Sequence, residues 1–232
     1  MNAPLTIEFF HDVICSFCYP MSYRMRLLQK EMPGLAIVHR SFALAMEPED
    51  LALMFGSRPA AKQEILRHWA AANQNDDLHR FNIEGMQRQS FPFPTSKKPL
   101  LACKAAGLAG GEEAYWAVFD ALQKALFTEN LNIEDTETIA QKVRQAPVSF
   151  ARWQALFAAP ETMLSVKEDL ALAQSYGITS VPTLVVNGKY RVSGAQPLPA
   201  LQNALQTIQA ENAAEPGAGE SCSLQNGTLQ CN

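Results

Sequence analysis

Cys15 and Cys18 stand two residues apart in "FFHDVICSFCYPM", residues 9–21. That spacing suits a dithiol that exchanges with disulfides, half of a metal site, or two buried thiols that lie close by chance. Exchange needs an accessible thiolate, a resolving thiol within reach and a means of stabilising the anion. A CxxC at the start of a helix supplies all three. The pair closes a small ring across the first turn, and Cys15 sits where unpaired N–H groups and the helix dipole favour negative charge. Cys18, one turn in and more buried, suits the resolving role. Ser16 and Phe17 bring no charge, so stabilisation falls mainly on the backbone, with modest help from His11 or Ser16. Zinc asks for about four ligands, commonly a second pair of cysteines. The chain has four scattered histidines and no second CxxC. Redox chemistry is therefore the favoured reading. It requires no metal and no cofactor beyond the sulfurs.

The elements that must position this pair follow from periodicity. "LTIEFFHDV" (5–13) reads as a strand apolar on both faces, as in a covered sheet. After the cysteines, Met21, Met25, Leu28 and Met32 recur at helical spacing, and Pro33-Gly34 ends the helix. "LAIVHRSFAL" (35–44) is a second strand, which completes a βαβ unit. Residues 48 to 158 read as mostly helical, interrupted by "FPFPTSKKP", with glycines closing "LLACKAAGLAGG" before "EEAYWAVFDALQKALF". A helix over 161–177, closed by Gly177, leads into "TLVV" and "KYRVSG", joined by Asn187-Gly188 as a hairpin. "PLPALQNALQTIQAEN" is a further helix. The outer parts, βαβ and αββα, can close into one mixed sheet covered on both faces. The expected division is 1–46 with 160–211, an inserted helical unit at 47–159, and a linker and tail at 212–232.

Bulk properties narrow the function. The chain has 232 residues, 47% hydrophobic and 18% charged, with a formal net charge of −4. No basic stripe suggests nucleic acid, and no apolar run approaches the roughly 20 residues of a membrane helix. No secretory signal is visible in "MNAPLTIEFFHD", so the expected location is the cytosol. Thiols are kept reduced there, which favours a catalytic or metal-binding CxxC over a permanent staple. Among the five cysteines, Cys103 in "LLACKAAGL" reads as a small buried hydrophobe.

Val181-Pro182 precedes "TLVV", a place where proline can open a strand. A cis bond there would present the backbone of Val181 to a substrate peptide; a plain trans proline is the alternative. The order strand, CxxC, helix, long helical insertion, then "VPTLVVNGKYRVSGAQP" resembles the thioredoxin superfamily and, within it, the DsbA-like proteins. "IEFFHDVICSFCYP" is similar to the DsbA active-site region. "NGKYRVSGAQP" and "LFTENLNIED" resemble the FrnE-type branch. The resemblance covers about residues 4 to 211. It implies a thioredoxin fold with a large helical insertion between the βαβ and αββα halves. It also implies that Cys15 attacks, Cys18 resolves, Pro182 is a cis-proline facing them and Val181 contacts substrate backbone. Glu8 resembles the buried glutamate beneath the DsbA site, one residue further from the first cysteine; there it could relay a proton to Cys18. The dipeptide departs from the pattern, with Ser16-Phe17 where DsbA has Pro-His.

The tail "CSLQNGTLQC" rewards counting. With Asn226-Gly227 at the centre of a type I′ turn, Leu224 faces Leu229 and Cys222 faces Cys231 as non-hydrogen-bonded pairs. Their Cα separation of about 4.5 Å is within disulfide range. A Cys222–Cys231 disulfide, or a dithiol able to form one, is expected on this C-terminal hairpin extension. It could exchange with Cys15–Cys18 by way of the "EPGAGE" linker, staple the tail, or clip a metal.

The leading expectation is a thiol–disulfide oxidoreductase or isomerase acting on protein thiols or disulfides, with a small thiol such as glutathione or a thioredoxin-type reductant as partner. The alternatives are a glutathione-dependent isomerase or transferase of the kappa-class type, which usually has Ser or Thr where Cys15 stands, and a metal-responsive binder or chaperone.

Overall fold

The computed structural model describes residues 5–214 and, as backbone only, 222–225 and 228–231, with side chains described through residue 212. β1 (Thr6–His11), α1 (Cys18–Glu31) and β2 (Ala36–Ser41) form the expected βαβ unit, β1 parallel to β2 with Ile7 opposite Ile37. Six helices follow among the described residues: α2 (Pro48–Phe55), α3 (Arg58–Asn75), α4 (Ile83–Arg88), α5 (Lys97–Phe127), α6 (Thr136–Val143) and α7 (Phe150–Phe157). The chain then returns through α8 (Pro160–Ser175), β3 (Thr183–Val186), β4 (Tyr190–Ser193) and α9 (Leu198–Ala214). The fold is a thioredoxin fold with a helical insertion.

Local chemistry sets the boundaries. Ser57, Asn82, Asp135 and Ser149 each accept a hydrogen bond from an N–H three residues ahead, starting α3, α4, α6 and α7. The break expected at the glycines at 110 and 111 is present within α5: Gly111 (φ 79°, ψ −172°) is non-helical and divides it into two helical segments. Asn187 (φ 52°) and Gly188 (φ 68°) both occupy the left-handed region that a type I′ turn requires, and β3 and β4 pair antiparallel across them.

The strand order is β2-β1-β3-β4-β5-β6, where β5 is Cys222–Gln225 and β6 is Thr228–Cys231. β1 is the strand that positions the site, and its faces differ. Phe9 and His11 point toward α5, meeting Phe119 at 6.3 and 3.9 Å between ring centroids. Phe10 faces the other way, packed with Ala173, Ile178 and Val185. Cys103 is fully buried in the main core.

The tail differs from a free-standing hairpin. β5 runs parallel to β4, with Cys222 opposite Tyr190, so the hairpin extends the sheet. Open strand edges carry unpaired N–H and C=O groups that recruit such a partner. The register within it is the counted one, Leu224 opposite Leu229 and Cys222 opposite Cys231. Asn226-Gly227 and the two cysteine side chains lie outside the described residues. Among the described residues no helix is long and apolar enough to cross a membrane.

Candidate active site

The strand-to-helix junction turns tightly. His11 is the last residue of β1; the Cys15 amide then donates to the Asp12 carbonyl at 3.2 Å and the Cys18 amide to the Cys15 carbonyl at 3.1 Å. Cys18 is the first helical residue of α1, earlier than the one-turn-in position expected, so Cys15 lies just outside the helix's positive end. Gln123 of α5 braces the turn, donating to the carbonyls of Val13 and Cys15 at 3.4 Å each.

Cys15 is 6% exposed and Cys18 is fully buried. The Cys15 thiol donates to the carbonyl of Val181 at 3.4 Å, and the Val181-Pro182 bond is cis. The structure thus brings Cys15, Cys18, Val181 and Pro182 together, with Ser16 buried and Phe17 half-buried at the N-cap of α1. Burial pushes the Cys18 thiol well above its ordinary range. Its hydrogen bond and charge interaction with Cys15 add to this, the charge of Asp12 adds further, and the Asp12 backbone N–H opposes it.

Beside Cys15 lies a cavity of about 290 Å³ lined by Ile14, Leu44, Leu51, Phe55, Phe93 and Val181, together with the cysteine, Ser16 and Phe17. Its remaining walls are Met54, Ile65 and His68, so no Lys, Arg, Asp or Glu faces it. Among the described residues no group of three or more His, Cys, Asp or Glu is placed to hold a metal ion.

Two expectations need correction. Glu8 does not lie beneath the cysteines. It projects from β1 to the α8 side, ion-paired with Arg40 at 2.7 Å and accepting from the Tyr176 hydroxyl at 2.9 Å. His11 lends no positive charge to Cys15. It is buried against His39 (Nε2 to Nδ1, 3.0 Å) and its pKa is held well below the ordinary value, chiefly by burial. His39 is pushed down to about 3 by burial, with the charges of Arg26 and Lys104 contributing.

The buried carboxylate near the cysteines is Asp12, a residue that no sequence motif singles out. It accepts from the Ile14 and Leu44 amides at 3.2 and 2.7 Å and from the Ser96 hydroxyl at 2.6 Å. Burial raises its pKa to about 6 against the opposing pull of these hydrogen bonds. The missed signal is local. An Asp at the end of a strand bonds the amide two residues on, forming an Asx turn that folds its carboxylate back onto the following chain.

Comparison with known proteins matches residues 6–206 to the family described as "DSBA-like thioredoxin domain". No curated protein matches the chain in sequence. Among solved structures, a probable DsbA oxidoreductase from Streptomyces coelicolor is 23% identical, with 98% of each chain covered and a TM-score of 0.70. The cytosolic disulfide reductase DsbM from Pseudomonas aeruginosa is 17% identical, with 87% of this chain and 99% of that chain covered and a TM-score of 0.67. A 2-hydroxychromene-2-carboxylate isomerase is 14% identical, with 90% and 98% covered and a TM-score of 0.63. At these identities the likeness is one of fold.

Proposed function

The chain belongs to the DsbA-like thioredoxin family, and on that premise we propose that it exchanges thiols and disulfides on polypeptides through Cys15 and Cys18. The observation that carries this reading is the pairing of a marginally exposed Cys15 on the Val181 carbonyl with a fully buried Cys18 behind it. The outer thiol meets substrate and the inner one resolves.

In the reductive direction, the Cys15 thiolate attacks one sulfur of a substrate disulfide, forming a mixed disulfide and releasing the other sulfur as a thiolate, which takes up a proton. Cys18 loses its proton and attacks the Cys15 sulfur. That frees the second substrate thiol and leaves a Cys15–Cys18 disulfide; two electrons have passed to the substrate. Buried and held protonated, Cys18 needs a proton acceptor at this step. Asp12 is near enough for its charge to act on Cys18 and fits that part, which Glu8 cannot reach. The backbone of Val181 lies where an extended substrate segment would run past Cys15, with Pro182 behind it. A small thiol such as glutathione or a thioredoxin-type reductant restores the dithiol. The DsbM structure with GSH and its description as cytosolic are in keeping with such a partner and location. Run backwards, the same steps oxidise a dithiol.

The test is insulin reduction with Cys15→Ser. Turnover is expected to vanish, and retained turnover would sink the mechanism. A glutathione-dependent isomerase is disfavoured by the presence of Cys18 behind Cys15, a resolving thiol for which such a reaction has no use.

The tail pair stands apart. Through the register, Cys222 is level with Tyr190, Val186 and Ile7, near the start of β1, whereas Cys15 follows its end. Cys15 rests on the Val181 carbonyl, and two strand spacings across with five residues along the chain, from Val186 to Val181, put Cys222 about 20 Å from it. We propose that Cys222 and Cys231 cross-link their own hairpin, without direct exchange with Cys15 while β5 is docked on β4. A Cys222→Ser/Cys231→Ser variant should keep insulin turnover within about twofold; loss of turnover would restore the exchange reading.

A further inference from the structure

A cavity larger than the one at Cys15 lies on another side of α3. A cleft of about 780 Å³ runs along α3 from Arg58 to Ala70, walled on its other side by residues 83, 87 and 89–92. Arg58, Lys62 and Arg67 line it and no carboxylate does, in a chain whose net charge is −4. The acids that bond two of these cations, Glu134 for Arg58 and Glu64 for Arg67, lie outside the lining. Among the described residues Lys62 has no carboxylate partner: its ammonium donates to the carbonyls of Gln89 and Phe91 and stands 5.3 Å from the centre of the Phe91 ring. Leu66, Ile83 and Phe91 supply an apolar floor, and Gln63, Gln87, Gln89 and Ser90 supply neutral donors and acceptors.

We propose that this cleft docks an acidic, partly apolar polypeptide segment of a protein substrate. This rests on the oxidoreductase reading and adds a substrate class to it. The shape favours a chain over a small molecule. Thirteen helical residues span about 18 Å, the length of five or six extended residues at about 3.3 Å each. Exposed amides suit a peptide backbone, the apolar floor suits alternate side chains, and the three cations suit carboxylates between them. The position fits as well. Ile65 of α3 lines the Cys15 cavity and Leu66 lines the cleft; Phe93 lines the former and Phe91 the latter. α3 is therefore a wall of both cavities. The chain's overall negative charge would repel acidic proteins at most places, which makes this cleft a local determinant of selectivity.

The test is fluorescence anisotropy with a cysteine-free, fluorescein-labelled peptide alternating Glu with Leu and Phe, and a counterpart with Lys in place of Glu. The native protein should bind the acidic peptide, with affinity falling as NaCl rises, and prefer it over the Lys peptide by at least about tenfold. A Lys62→Glu/Arg67→Glu variant should reverse that preference, an outcome that a misfolded protein cannot produce. Absence of binding, an unreversed preference, or tighter binding of a single-stranded oligonucleotide of equal length would overturn the proposal. Turnover of a short neutral disulfide peptide by the native protein tests the oxidoreductase reading separately, so the two can fail independently.

Discussion

The two sides of β1 hold carboxylates in opposite circumstances. Glu8, on the α8 side, is met by Arg40 and Tyr176, and Arg40 also reaches Asp169 at 3.4 Å. Asp12, just past the strand, has no cationic partner among its principal interactions, only hydrogen bonds from Ile14, Leu44 and Ser96, and sits by Cys18. An ion-paired carboxylate contributes to stability and keeps its charge. A desolvated one holds its proton more tightly and can pass it on. The comparison teaches that chemistry lies where the sheet leaves an acid without a cation, and the following variants can break it.

The largest effect is expected on the Cys15 side. Cys15→Ser should reduce insulin turnover by at least about a thousandfold, as loss of a covalent nucleophile does. Cys18→Ser should stop turnover while leaving Cys15 able to form stable mixed disulfides, visible as covalent adducts on non-reducing gels. If Cys18→Ser turned over normally, the buried thiol would have no resolving role.

Asp12→Asn comes next, read through pH. Asp12 titrates near 6 in the folded protein and at its ordinary value, 3.8, when unfolded. Between those values the native state binds the proton more tightly, so this group's contribution to stability is present below pH 4 and lost as pH rises toward 6. The loss is about 3 kcal/mol for two pKa units. Urea melts should show the native protein falling relative to Asp12→Asn across that window, and parallel curves would show that Asp12 is charged throughout. The Asn keeps a single acceptor oxygen, so one of the Ile14 and Leu44 amides loses its partner, a constant cost of about 1–3 kcal/mol that does not alter the slope. If Asp12 takes the proton of Cys18, release of the mixed disulfide should slow in the same variant while attack by Cys15 does not.

Much of this arrangement is legible in the sequence because it is local. The CxxC at a strand-to-helix junction, the Asn187-Gly188 turn and the facing of Cys222 on Cys231 each follow from residues close in the chain. Glu8 and Asp12 show where locality ends. They share the same parity along the chain, and alternation shows that Glu8 faces away from Phe9 without saying which face Cys18 occupies. The end of β1 at His11 then breaks the alternation, so the Asx turn, not the pleat, aims Asp12. The docking of β5 on β4 was equally hidden, since edge pairing is made by backbone groups that leave no mark on side-chain pattern. The cleft along α3 is assembled from helices and a Pro-rich loop separated by some 20 residues, beyond the reach of periodicity.

Glu8→Gln is the smallest expected effect and the sharpest control. The amide has nearly the volume of the carboxylate, and its oxygen can still accept from Tyr176 or Arg40, so no cavity forms. What disappears is a charge pair with an arginine whose side chain is 31% exposed and which keeps Asp169 as a second partner. Exposed and half-exposed pairs contribute about 0–1 kcal/mol, so the unfolding free energy from urea melts should fall by no more than that. Turnover should stay within about twofold, since Glu8 touches neither cysteine nor the Val181-Pro182 turn. A large loss of turnover at unchanged stability would move the proton-handling role back to Glu8 and reverse the contrast between the two sides of β1. An unchanged rate beside a slowed Asp12→Asn would place that role on the side of the strand where the carboxylate is buried without a cation.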